Sequence, residues 1–134
     1  MKIRQTIFAL AISLTGSGLL AAPAQAGQYN FTTVSDPLAT GGTFVDGINN
    51  AGTIVGAYVD GSGTHGFVES GGVFTTVNDP SDPSYTQVKA INNAGTMVGQ
   101  YGDEGFIYSG GVFTPIIISG ETIPLGVNGG GVFI

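Results

Sequence analysis

The chain repeats itself, and this periodicity limits its fold more than any other property, because a unit that recurs must pack against its own copies. Phe31-Thr32-Thr33-Val34-Ser35-Asp36-Pro37 returns 43 residues later as Phe74-Thr75-Thr76-Val77-Asn78-Asp79-Pro80. Ile48-Asn49-Asn50-Ala51-Gly52-Thr53-Ile54-Val55-Gly56 returns at the same spacing as Ile91-Asn92-Asn93-Ala94-Gly95-Thr96-Met97-Val98-Gly99. Gly66-Phe67-Val68-Glu69-Ser70-Gly71-Gly72-Val73-Phe74-Thr75 returns after only 39 residues, at Gly105 to Thr114. The difference falls in the stretch Asp60 to Thr64, which is therefore a loop, the place where a repeat tolerates insertion. A third copy opens at Val112 and degrades. Pro115 and Ile116-Ile117-Ile118 replace the Thr-Val-x-Asp-Pro segment, and Val127-Asn128-Gly129-Gly130-Gly131 stands where Ile-Asn-Asn-Ala-Gly belongs. The units run over about residues 29–72 and 73–111, with a partial one over 112–134.

Within a unit the signals are those of short strands. Gly71-Gly72 and Gly110-Gly111 each separate two β-prone runs, and a two-glycine link is a hairpin turn because both positions require positive φ. Asn49-Asn50-Ala51-Gly52 and Asn92-Asn93-Ala94-Gly95 read as turns in which Asn side chains bond the backbone and Gly takes the left-handed position. Asp36-Pro37 and Asp79-Pro80-Ser81-Asp82-Pro83 end strands, since Pro cannot donate to a ladder. No segment after residue 26 has a helical period. About four strands in about 40 residues is the content of a propeller blade, so the expected fold is all-β, with propeller-like antiparallel units. A β-sandwich with internal duplication is the alternative.

The I-N-N-A-G-x-x-V-G segments at Ile48–Gly56 and Ile91–Gly99, with His65-Gly66-Phe67-Val68 and the paired Phe-Thr-Thr-Val runs, are similar to the bacterial HAF extracellular repeat. The resemblance covers roughly Phe31 to Gly111. It departs from the family pattern in having Gly66 at the centre of His-Ala-Phe, and Glu104 where the second unit would carry its histidine. The resemblance implies an extracellular β-repeat protein, in a family whose members generally carry more units, and it implies no catalytic residues.

The first 26 residues read as a secretory signal helix. Lys2 and Arg4 precede an apolar run from Thr6 to Ala22, and Ala24-Gln25-Ala26 after Pro23 supplies a small-x-small cleavage site. Gly16, Ser17 and Gly18 interrupt a run already short for a bilayer. The expected mature chain, residues 27–134, is secreted, extracellular or periplasmic. It keeps one basic residue, Lys89, against nine acids, a balance that excludes nucleic acid and anionic membranes as partners. With no cysteine, it offers neither disulfide nor thiolate chemistry.

His65 is the only histidine, so any Ser-His-Asp chemistry passes through it, with Ser62 and Asp60 as its neighbours in sequence. The bland reading is a loop residue heading a strand. Asp60 to Thr64 has oxygen donors and flexible glycines but lacks the acid pattern of an EF-hand loop, which leaves Asp60 and Asp103 as candidates for a weak calcium site. Tyr58 and Tyr101 occupy matching positions and could stack on a sugar, though strand packing is the ordinary use. No catalytic residue and no cofactor site is assigned. The expectation is a non-enzymatic binding or envelope structural module whose partner is an unidentified macromolecule. A hydrolase acting on extracellular polymer, or a remnant without selected function, are the alternatives. The apolar Val132-Phe133-Ile134 edge of the partial unit makes a homo-oligomer possible.

Overall fold

A computed structural model describes residues 29–117 and 124–131. The expected signal segment, residues 1–26, and the edge Val132-Phe133-Ile134 lie outside the described residues. The chain divides into two units, Met1–Phe31 and Thr32–Ile134, and the second carries all the architecture described below.

That unit is all-β, with no helix among the described residues. One antiparallel sheet contains β1 (Gly42–Ile48), β2 (Ile54–Val59), β3 (Thr64–Ser70) and β4 (Val73–Val77) in chain order. A second contains β5 (Thr86–Ile91), β6 (Met97–Tyr101), β7 (Glu104–Ser109) and β8 (Val112–Ile116), again in chain order. Each sheet opens in the middle of the repeat as read from the sequence, at β1 or β5, and closes with the Phe-Thr strand that follows the glycine hairpin. A periodic sequence has no intrinsic starting point, so sheet pairing sets the phase.

The turns follow their chemistry. Gly71 and Gly72 have φ of 60° and 88°, and Gly110 and Gly111 have 59° and 86°, so both hairpins take the primed turn that only glycine accommodates readily. In the Asn turns, Asn49 Oδ1 accepts from the amides of Ala51 and Thr53, each at 3.0 Å. Asn92 Oδ1 accepts likewise from Ala94 at 3.0 Å and Thr96 at 2.9 Å. The degraded third copy preserves the turn, with Gly130 N donating to Asn128 Oδ1 and Gly131 N to Asn128 O.

These turns also join one unit to the next. The Asn49 side-chain amide donates to the Asn92 carbonyl at 3.3 Å, and the Asn92 side-chain amide donates to the Asn128 carbonyl at 3.0 Å. Asn50 N donates to Asn93 Oδ1 at 2.9 Å. A second link is a matched pair of β-bulges. The register of β1 on β2 shifts between Val45 and Gly47, and that of β5 on β6 between Val88 and Ala90. The extra residues, Asp46 and Lys89, are sequence equivalents, and they form an ion pair of 3.8 Å between the sheets. Gly47 makes the close approach possible, since a Cβ there would lie 3.2 Å from the Ala90 Cα.

The core forms where the sheets face each other. Val55 and Val77 of the first sheet pack with Val88, Ile91, Met97 and Phe106 of the second, with Val68, Tyr108 and Phe113 at the margin. Inside each sheet a buried Phe lies across from a Gly: Phe67 opposite Gly56, and Phe106 opposite Gly99. The ring covers the glycine so closely that a Cβ on Gly99 would lie 2.7 Å from the Phe106 ring and 2.0 Å from the Gln87 carbonyl oxygen. Thr32-Thr33-Val34, the sequence counterpart of Thr75-Thr76-Val77 in β4, forms no strand. β4 is held by β3 through the glycine hairpin, and no such hairpin precedes residue 32 among the described residues.

Two outcomes follow from this packing. Gly99→Ala should lower the unfolding free energy by about 3 kcal/mol in urea titrations, since the added methyl has nowhere to go, whereas Gly61→Ala, with open space around it, should be close to neutral. Asn92→Asp, which keeps both acceptor bonds but loses the donor to Asn128, should cost about 1–3 kcal/mol by the same measurement.

Candidate functional site

The side chains most suggestive of chemistry gather where β2 turns into β3. Asp60 N donates to Gly63 O and closes the four-residue loop. One carboxylate oxygen, Asp60 Oδ1, accepts from Ser62 N at 2.7 Å, Ser62 Oγ at 2.7 Å and Gly63 N at 3.2 Å. His65 lies inside β3 and is buried, not in the loop that precedes the strand. Cross-strand pairing sets it opposite Tyr58, their ring centroids 5.2 Å apart.

Hydrogen bonding defines the imidazole's wiring. Asn78 Nδ2 lies 2.9 Å from His65 Nδ1. The Asn78 side-chain amide thus takes Nδ1, the nitrogen on which a triad could carry its acid. Nε2 faces Ser62 Oγ at 2.9 Å and Asp60 Oδ1 at 3.2 Å. The Ser62 hydroxyl gives its own hydrogen to Asp60. A nucleophilic triad needs serine on one imidazole nitrogen, which must be free to take its proton, and the acid on the other. Here serine and acid share one nitrogen, Nε2, and the Asn78 amide takes the other. The arrangement braces a turn and fastens it to Asn78. The brace leaves Asn78 Oδ1 buried without a partner.

The electrostatics agree with this wiring. The Ser62 hydroxyl and backbone amide hold the Asp60 carboxyl down at about 2, assisted by His65 and opposed by partial burial. In the second sheet the β6–β7 link is only Gly102-Asp103, and Glu104 replaces His65 opposite the second tyrosine. Tyr101 donates to Glu104 Oε2 at 2.6 Å, and that bond, with desolvation and the glutamate's charge, pushes its hydroxyl up to about 12.

Of the two calcium candidates, Asp60 sits in the β2–β3 loop and Asp103 in the corresponding β6–β7 link. Among the described residues no three His, Asp or Glu side chains converge as metal ligands would. The other loop acids serve their own turns. Asp82 Oδ1 takes Ser84 N and Ser84 Oγ, repeating the Asp60–Ser62 arrangement. Asp36 and Asp79 are buried equivalents: Oδ1 takes the amide two residues on, Leu38 or Ser81, while the backbone N–H goes to Thr43 or Thr86. The signal for these roles was in the sequence, as Asp-x-Ser spacing and as Asp and Thr seven residues apart in both units. Asn78 left no such mark. Neither tyrosine offers a sugar platform: Tyr58 is buried with its hydroxyl on Thr76, and Tyr101 stacks on Phe106.

The depressed Asp60 carboxyl sets a sign for acid stability. Its folded value lies below its unfolded value of 3.8, so its contribution is complete above that pH and is lost as pH falls toward about 2. Asp60→Asn should therefore flatten the part of the stability profile between those limits relative to the wild type, read from thermal melts across that range. Among the described residues no helix is long and apolar enough to cross a membrane. Comparison with family models, curated proteins and solved structures finds no match to this chain.

Proposed function

We propose that the chain is an exported, non-enzymatic β-repeat module of the HAF type, built from propeller-like units, that binds a macromolecule or a component of the cell envelope. One observation carries the non-enzymatic reading: the only Ser-His-Asp grouping in the chain is wired as a turn brace. The hydroxyl that would attack is already a donor to Asp60, and the acid sits on the same imidazole nitrogen as that hydroxyl instead of on the opposite one. The export reading rests on the basic start, apolar run and Ala24-Gln25-Ala26 site of the first 26 residues. The propeller-like reading rests on two chain-ordered antiparallel sheets that stack through equivalent residues at each step. Acids spent on turns and glycines spent on hairpins make a rigid scaffold, which suits a surface used for binding.

The test pairs an activity screen with a binding assay on the same purified protein. Panels of esterase and glycosidase substrates should give no turnover above buffer, for the wild type and for Ser62→Ala alike. Isolated envelope fragments should carry the protein into the pellet. Turnover abolished in Ser62→Ala would replace the binding reading with the hydrolase one, and a protein that neither turns over substrate nor sediments would remove both.

A further inference from the structure

The third Asn turn keeps its asparagine and changes the residue after it. Asn128-Gly129 is the one Asn-Gly pair in the chain, since every other asparagine precedes Phe, Asn, Ala or Asp. A side chain on the following residue obstructs the approach of that residue's nitrogen to the asparagine Cγ, and glycine has none. Asn128 and Gly129 are both exposed, whereas Asn92 is only 6 % exposed. A Cβ built on Gly129 would meet nothing within 4 Å, which leaves the pair open to water.

Three donors bear on this pair. Gly130 N donates to Asn128 Oδ1 at 2.9 Å, a turn that curls the side chain back over the Gly129 peptide. The same donor stabilises negative charge developing on that oxygen. The carbonyl of the Gly129 peptide, Asn128 O, accepts from Asn92 Nδ2 at 3.0 Å and from Gly131 N at 3.1 Å. Hydrogen bonds to an amide oxygen draw charge from its nitrogen, so these two ease the loss of the Gly129 proton. In the first copy the corresponding nitrogen, Asn50 N, is instead tied to Asn93 Oδ1 at 2.9 Å.

We propose that Asn128 is a self-modification site, converted by its own backbone and water to aspartate and isoaspartate. The Gly129 nitrogen bonds to Asn128 Cγ, the Cγ–Nδ2 bond breaks, and the side-chain nitrogen leaves as ammonia, carrying the proton that Gly129 gives up. Water then adds to the cyclic imide. Opening at Cγ leaves aspartate in the original backbone. Opening at the main-chain carbonyl carbon reroutes the backbone through Cγ and leaves the old carbonyl as a free carboxylate. Either product puts a negative charge on the turn that receives the Asn92 amide, and in isoaspartate the acceptor of that amide no longer lies in the main chain. The modification therefore acts on the joint between the second unit and the partial third.

Peptide mapping by mass spectrometry of the purified protein held in heavy-oxygen water, with and without guanidinium, tests this. The heavy label and the change from amide to acid should accumulate at residue 128 at least about tenfold faster than at the exposed Asn50 and Asn93. Conversion should be at least as fast in the folded protein as in the unfolded one, because the three donors are in place only in the fold. Gly129→Ala should slow conversion at residue 128 by about tenfold or more, with an unchanged melting temperature because the added methyl meets nothing. Equal rates at Asn50 or Asn93, slower conversion in the folded protein than in the unfolded one, or full-rate conversion in Gly129→Ala would each overturn the proposal.

Discussion

The side-chain amide of one asparagine in each of the two complete units does two things at once. Its oxygen accepts two backbone amides and so fixes the turn between the first two strands of a sheet. Its nitrogen reaches forward to the carbonyl of the same asparagine in the next unit. Ionised Asp supplies the acceptor but no donor, and Ser carries both on one short-reaching oxygen, whereas Asn holds them on two separate atoms, one facing the turn and one facing the next unit. Local turn geometry and the stacking of units are thereby set by one group. The third copy has lost the rest of the motif sequence, with Gly129 and Gly130 replacing Asn and Ala, yet it keeps this asparagine and the glycine three residues on, and the turn survives.

Once the turns are stacked, the inner strands must come close together, and the remaining features follow from that. Gly47 removes a side chain where β1 meets β5, and the bulges swing Asp46 and Lys89 out of the ladder into reach of each other. A partly exposed pair at 3.8 Å is worth less than about 1 kcal/mol, so it orients the sheets more than it holds them. Cohesion comes from the apolar layer around Val55, Val88 and Phe106, with dispersion and burial acting over rings laid on glycine. The difference in length between the units lies at the far end, where the longer β2–β3 loop of the first unit carries the Asp60–Ser62–His65 brace and the two-residue link of the second does not.

Strands, hairpins and the repeat period were legible because they depend on local rules, glycine pairs and Asn turns at a fixed spacing, whereas the phase of the units was not, because sheet pairing sets it. The position of the insertion was legible for the same reason, as a change in that period between Tyr58 and His65. What could not be read was any relation between residues joined only by folding. His65 looked like the head of a strand after a loop, and its burial depends on Tyr58 and Asn78, which pairing across β2, β3 and β4 brings to it. Asp60 and Asp103 looked alike as loop oxygens; Asp60 proved to be a turn cap with Ser62 two residues on, as Asp82 is with Ser84. Thr32–Val34 shows the opposite limit, since a sequence copied from a strand forms none where no strand among the described residues pairs with it.

The forward reach of the asparagine amide also gives the unit a direction. The junction between the two sheets joins one kind of face, with Val55 and Val77, to a different kind, with Val88 and Ile91, and the Asn49 and Asn92 side-chain amides both point the same way along the chain. An assembly that reused these surfaces could not be two-fold symmetric about a single interface, because a two-fold axis pairs a patch with itself. It would be head-to-tail, closing into a ring if the rotation between units permits and extending if it does not. The choice between ring and filament then rests on the angle between successive sheets, which the Asn turn and the bulge set together.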